Sequence, residues 1–373
     1  MAKNKNRKCY VGFWPWPRAW TSVEAYQLAE NLKEKGSIHL KRALTEKEAK
    51  VFREVRSEYI EPNFEFQLCA DGLILYRHNS IENDISTTNN KLSPTTDLAS
   101  NDFRQAMRAS SAGYRHYIPA MNIFFMLLES EMHGHGRNNT LYWIKPITKN
   151  NMVRVKNDLV ADQNSSLTSF GEVTEMHLQR FVGEVSVGAR IDGMFHQDVI
   201  DAFNDACQIY SMVFNDSDLW NLMEKLSSSW VSMQTELFES SLALSWSIIE
   251  RDLVSQLRTL LSSIPSGSLM KLHNNVPTSM SSIEETGLRN KITAGDSPMA
   301  GKMISILNAH SISLHGKLNN VKQIRNNQQH SGASVTFNNC VDALEICIEV
   351  AKRVHNLELN FRLQPNAHLG ITN

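Results

Sequence analysis

From Asp198 onward the apolar residues keep a three-or-four spacing, and that rhythm commits the second half of the chain to packed helices. Val199, Ile200, Phe203, Cys207 and Tyr210 form one buried stripe. A longer element is expected over about Leu219 to Ile264, with an irregularity at Ser227-Ser228-Ser229 and a broad apolar face of Leu242, Leu244, Trp246, Ile248, Ile249, Leu253, Leu257 and Leu260. Glu250-Arg251-Asp252 interrupts that face with charge, and Pro265-Ser266-Gly267 stops it. Ser268 to Pro298, broken by Pro277, Gly287 and Gly295, reads as a polar excursion with a short helix near Ser282 to Leu288. One helix is then expected from about Met299 through Ile324 and on to the motif below, weakened by the small polar Ser311 and by Gly316. A last helix covers about Phe337 to Leu357, with Lys352 and Arg353 where cations favour the C-terminal dipole.

The N-terminal half reads as mixed α and β. Trp14-Pro15-Trp16-Pro17 breaks any regular element, Thr21 to Glu24 has capping-box spacing for a helix ending at Gly36, and Thr45 to Glu48 opens a charged helix expected to run to about Tyr59. Aromatic and branched residues flank Asp71-Gly72, a tight-turn pair, so Phe64 to Arg77 is a hairpin. Asn79 to Asn101 is a long polar loop, Ile118 to Glu131 a buried helix, and Thr140 to Ile147, Met152 to Val155 and Phe181 to Val187 further strands. With 373 residues, two domains are expected, a mixed α/β one at 1–193 and an all-α one at 198–373.

Composition narrows the function. A net charge of -1 argues against a uniformly basic nucleic-acid-coating surface and permits a local basic cleft. Five scattered cysteines without a C-x-x-C pair support neither a disulfide framework nor a zinc knuckle. No stretch approaches the roughly 20 apolar residues of a membrane span, so a cytoplasmic protein without a membrane partner is expected. His133 and His135, two apart in a glycine-rich turn, lack the further ligands that complete a metal site, so no metal or other cofactor is expected.

The stretch that reads as chemistry is Arg325-Asn326-Asn327-Gln328-Gln329-His330, followed at once by Ser331-Gly332. Arginine offers a permanently charged fork of donors suited to phosphate, and histidine gives or takes a proton near neutral pH. Together these are the parts needed to bind and cleave a phosphodiester. On an unbroken helix, however, residues five apart lie about 140° around the axis, so one copy presents Arg325 and His330 poorly to a single phosphate. The same residues also suit an ordinary helix end, where the dipole favours cations and asparagine is common.

A long helix with an inner Trp-Ser-Ile-Ile-Glu (Trp246 to Glu250), a variable insert, a helix ending in Arg-Asn-x-x-x-His, a small turn and a closing apolar helix together resemble the HEPN superfamily, nearest its bacterial Apea-like domains. The resemblance covers about Asp198 to Leu357. It implies a small all-α bundle and a metal-independent endoribonuclease that pairs two motifs across a homodimer. Arg325 and His330 would be catalytic, Asn326 a supporting polar residue, and RNA, whether tRNA or mRNA, the substrate. Toxin and antiphage roles are typical of such bacterial proteins, with residues 1–193 then sensing a trigger or restraining the nuclease. Glu250 is a candidate support for the motif, and equally an exposed helix carboxylate paired with a lysine or arginine. Trp246 is assigned to the core. The family also contains non-catalytic members that serve as assembly or ligand-binding modules, and a metal-dependent hydrolase in the N-terminal half is a third possibility that activity in a chelator would exclude.

Overall fold

The computed structural model describes residues 9–13, 21–34, 46–78, 117–132, 146–147, 153–156, 196–312, 314, 316–357 and 359. The expectations for Trp14 to Pro17, the loop from Asn79, His133 to Gly136, most of Thr140 to Ile147 and Phe181 to Val187 lie outside these residues. The chain divides into two compact units, Met1–Ser217 and Asp218–Asn373.

The first unit is built on a five-stranded antiparallel sheet in the order β2-β3-β4-β1-β5, from β1 (Cys9–Phe13), β2 (Val55–Ile60), β3 (Phe64–Cys69), β4 (Ile74–His78) and β5 (Val153–Lys156). The expected hairpin is present: β3 and β4 pair Phe66 with Tyr76 and turn at Asp71-Gly72, where Gly72 takes a φ of 76°. Asp71 caps the turn by accepting from the Leu73 amide at 3.2 Å and pairs with buried Arg53. Helix α1 (Val23–Glu34) begins one residue later than capping-box spacing suggests. Ser22 Oγ accepts from the Ala25 amide at 3.3 Å, while Thr21 Oγ1 donates to the Cys69 carbonyl at 2.9 Å. Helix α2 stops at Phe52 (Glu46–Phe52) rather than near Tyr59, because Val-Arg-Ser-Glu-Tyr-Ile alternates half-buried and exposed positions and pairs as β2.

Helix α3 (residues 117–132) and helix α4 (His196–Asn215) supply aromatic rings to the sheet. Phe66 stacks on Phe124 with centroids 4.1 Å apart and meets Tyr210 edge-on at 5.1 Å, and the Tyr76 and Tyr210 hydroxyls hydrogen-bond at 3.1 Å. The stripe of Val199, Phe203, Cys207 and Tyr210 is therefore real, yet it packs on the N-terminal sheet. The division between units falls after Ser217, about twenty residues beyond the expected start of the second domain. An apolar stripe specifies that a face is buried and says nothing of which neighbour covers it.

The second unit comprises α5 (Ser217–Gln234), α6 (Phe238–Ser263), a two-stranded hairpin β6 (Met270–His273) and β7 (Val276–Ser279), then α7 (Ser282–Thr293), α8 (Ala300–Ala309), α9 (Leu318–Ser331) and α10 (Phe337–His355). It is helical but not all-α. Asn274 and Asn275, with φ of 50° and 63°, make the hairpin turn inside the segment expected to be irregular. The break in the long expected element comes at Thr235–Leu237, where Glu236 has a φ of 62°, and not at the serines. Ser229 is fully buried and hydrogen-bonds the Ser245 hydroxyl at 2.7 Å and the Ser241 carbonyl at 3.0 Å, closing α5 onto α6. Cys340 and Cys347 donate to the Phe238 and Ser245 carbonyls, both at 3.3 Å; the equal seven-residue steps show that α6 and α10 run parallel.

The helix expected from Met299 through the motif is two helices. Ser311, in the slot that broke the apolar rhythm, has a φ of 58° after α8 ends at His310, and α9 starts afresh at Leu318. A non-glycine residue in that region seldom continues a helix.

Candidate functional site

Helix α9, Leu-Asn-Asn-Val-Lys-Gln-Ile-Arg-Asn-Asn-Gln-Gln-His-Ser, contains no acidic residue, and of its side chains only Leu318 and Val321 are fully buried. Its first turn is anchored. Lys317 pairs with Asp342 at 2.8 Å and Glu345 at 2.5 Å of α10, and these carboxylates hold the ammonium above its ordinary pKa. Its last turn is closed by Gly332, at φ 66°, whose amide donates to the Gln328 carbonyl at 3.0 Å while the Ala333 amide reaches Asn327 at 3.4 Å. Between these fixed ends the helix packs against α6 and α10 and presents a polar, positively charged surface.

Arg325 sits on the packed side, half-buried. Its guanidinium carbon lies 5.7 Å from the centroid of the Trp246 ring on α6, within cation–π range, and its Nη1 donates to Asn326 Oδ1 at 3.2 Å. Arg325 Nε is buried without an acceptor among the described residues. Trp246, 4% exposed, also has its indole N–H buried without an acceptor among them. His330 is exposed in the final turn. The helix is unbroken from Arg325 to His330, so the angular separation of about 140° stands, and the structure does not bring these two side chains together within one copy. It does bring Arg325 and Asn326 into contact. Glu250 is half-buried on α6 and has no hydrogen bond or ion pair with the motif among the described residues.

Trp246 is the contributor that sequence reasoning missed. Its place in an apolar stripe marked it as core, and it is core; but 79 positions separate it from Arg325, and no linear spacing signals that the ring's face is turned to the guanidinium. The thiols of Cys69, Cys207, Cys340 and Cys347 are buried and suit no nucleophilic role, since burial pushes Cys340 up to about 11 and Cys347 up to about 12. Among the described residues no group of three or more His, Cys, Asp or Glu side chains gathers as metal ligands, and no helix is long and apolar enough to cross a membrane. Compared with known proteins, the chain matches no family model, no curated protein and no solved structure.

Chemically, the arrangement offers a pre-positioned cation with uncommitted N–H donors, an adjacent amide and a solvent-facing imidazole on an acid-free helix. Such groups can bind an oxyanion and move a proton, here from different sides of the helix.

Proposed function

We propose that the protein is a metal-independent endoribonuclease of the HEPN kind, acting as a homodimer in which two copies of α9 face one another across a composite cleft, and serving as a toxin or antiphage effector. The observation that carries the reading is the state of Arg325, a half-buried guanidinium held over Trp246, with Nε buried, Nη1 bound to Asn326 Oδ1, and Nη2 without an acceptor among the described residues. Nη2 is thus left to donate to a phosphate oxygen, and a charge-assisted hydrogen bond of that kind contributes about 1.5–3 kcal/mol. Arg325 then neutralises the charge that grows on the phosphoryl oxygens as the 2′-hydroxyl attacks. The reaction forms the bond between O2′ and phosphorus and breaks that between phosphorus and O5′. His330 takes the 2′-hydroxyl proton or gives one to the leaving O5′, and Asn326 steadies the guanidinium through its amide oxygen.

The geometry supports the pairing of two copies: Arg325 and His330 diverge on one helix, and a twofold axis would let the arginine of one copy meet the histidine of its partner. Mixing tests this directly. Arg325→Ala and His330→Ala homodimers should each be inactive, while co-refolded mixtures, which contain dimers with one intact residue of each kind, should cleave RNA at least about tenfold faster than either alone. A mixture no faster than its components would place the two residues in one copy's own site, or in none.

A further inference from the structure

Resting on that nuclease reading, we infer that Trp246 is the positioning residue for Arg325, holding its guanidinium as a pre-formed seat for an RNA phosphate. Three observations converge. The guanidinium carbon lies 5.7 Å from the indole centroid, so the arginine is attracted to a ring that is itself immobilised, 4% exposed in α6. A second contact, Nη1 to Asn326 Oδ1 at 3.2 Å, restrains rotation of the guanidinium over that face. With Nε buried and Nη1 bound to the amide, the nitrogen that remains without an acceptor and is not enclosed is Nη2, and that is where a phosphate oxygen is received. An arginine is otherwise a long, rotamer-rich side chain that gives up much freedom on binding; here that freedom is already spent in the free protein, and the planar fork is fixed for phosphate.

Trp246 touches no substrate atom in this account. Its effect passes entirely through Arg325, which distinguishes it both from a base-stacking platform and from an ordinary core residue. A base stacker would retain its contribution after the arginine is removed, and a core residue would act through stability alone.

The test is a double-mutant cycle on the full chain, read as affinity for a fluorescein-labelled 2′-O-methyl RNA, which can bind but supplies no nucleophile. Trp246→Leu should weaken binding about 3- to 30-fold in the presence of Arg325 and less than about twofold in the Arg325→Ala background. Trp246→Phe, which keeps a ring face, should stay within about threefold of wild type and guards against a failure of the leucine variant to fold. Equal losses from Trp246→Leu with and without Arg325, or a phenylalanine variant as weak as the leucine one, would overturn the positioning role. If Arg325→Ala itself leaves affinity unchanged, the phosphate seat and the nuclease reading fall together; if Arg325→Ala weakens binding and only the coupling is missing, the seat stands and Trp246's role alone is refuted.

Discussion

At the scale of single residues, the site separates into a fixed part and a free part. Arg325 is held by a ring and an amide; His330 faces solvent. Replacing either with alanine should abolish cleavage by at least about 100-fold, and His330→Ala should leave the thermal midpoint unchanged because an exposed histidine packs against nothing. Asp252 behaves differently. It lies in α6 on a buried position, where desolvation raises its carboxyl above the ordinary 3.8 despite the amide of Gln256 at 3.0 Å and the charges of Arg353 and Arg251. A carboxyl whose folded value exceeds its unfolded one contributes stability that is present below the unfolded pKa and lost as pH rises through the folded one. Asp252→Asn should therefore be more stable than wild type at pH 7, with the advantage shrinking toward pH 4, as thermal melts across that range would show. The motif residues stand out in the sequence because their types carry chemistry on their own. The Trp246 contact and the burial of Asp252 do not, since both are set by how α6 meets its neighbours, and in the sequence Asp252 is only part of a charged interruption of the apolar face.

At the scale of elements, the periodic patterns located helices well and their ends poorly. The hairpin at Asp71-Gly72 was evident from its turn pair, whose Gly72 takes a positive φ, and the closing helix from its apolar rhythm; the structure adds the N-cap Thr336, whose hydroxyl accepts from the Asn339 amide at 3.4 Å. The splits at Glu236 and Ser311 were hidden because neither residue type advertises a left-handed conformation. The hairpin β6–β7 was missed for a related reason. Its strands are four residues long, and Pro277 disguises one as a loop, yet α8 completes them: Ser305 Oγ accepts from the Leu272 amide and donates to its carbonyl, both at 3.0 Å, and His310 Nε2 accepts from the Met270 amide at 2.9 Å. At the end of α9 the decisive residue is Gly332. Nothing lies within 4 Å of where its Cβ would be, so Gly332→Ala is penalised by its φ of 66° alone. The expected cost is about 1 kcal/mol, or a lowering of the melting midpoint by about 2–4 °C, together with loss of activity if His330 depends on an ordered last turn. An unchanged midpoint would mean that the helix end re-forms without the left-handed cap.

At the scale of the whole molecule, composition and pattern pointed to strands in the first half and helices in the second, and the chain does place its larger antiparallel sheet near the N-terminus, with the division between units after Ser217. Helix α4 was assigned forward because its stripe resembles those that follow. Phe64, Phe66 and Tyr76 on the sheet claim it instead, through Tyr210. The same ambiguity extends to assembly. Helix α9 leaves the His330 end of its motif exposed among the described residues, and under the proposed function a second copy is the partner that would place an arginine beside a histidine. Activity should then rise more steeply than linearly with protein concentration below the dimerisation constant, and a strictly linear dependence down to monomeric concentrations would remove the reason for invoking a dimer.

The most direct measurement is cleavage of total cellular RNA and a tRNA pool by the purified full-length protein in excess EDTA, comparing wild type with His330→Ala and identifying the product ends. Wild type should release fragments ending in a 2′,3′-cyclic phosphate and the variant none. Fragments with 3′-hydroxyl ends, loss of cleavage in EDTA that added metal restores, or equal cleavage by both proteins would rule out metal-independent cleavage at this motif.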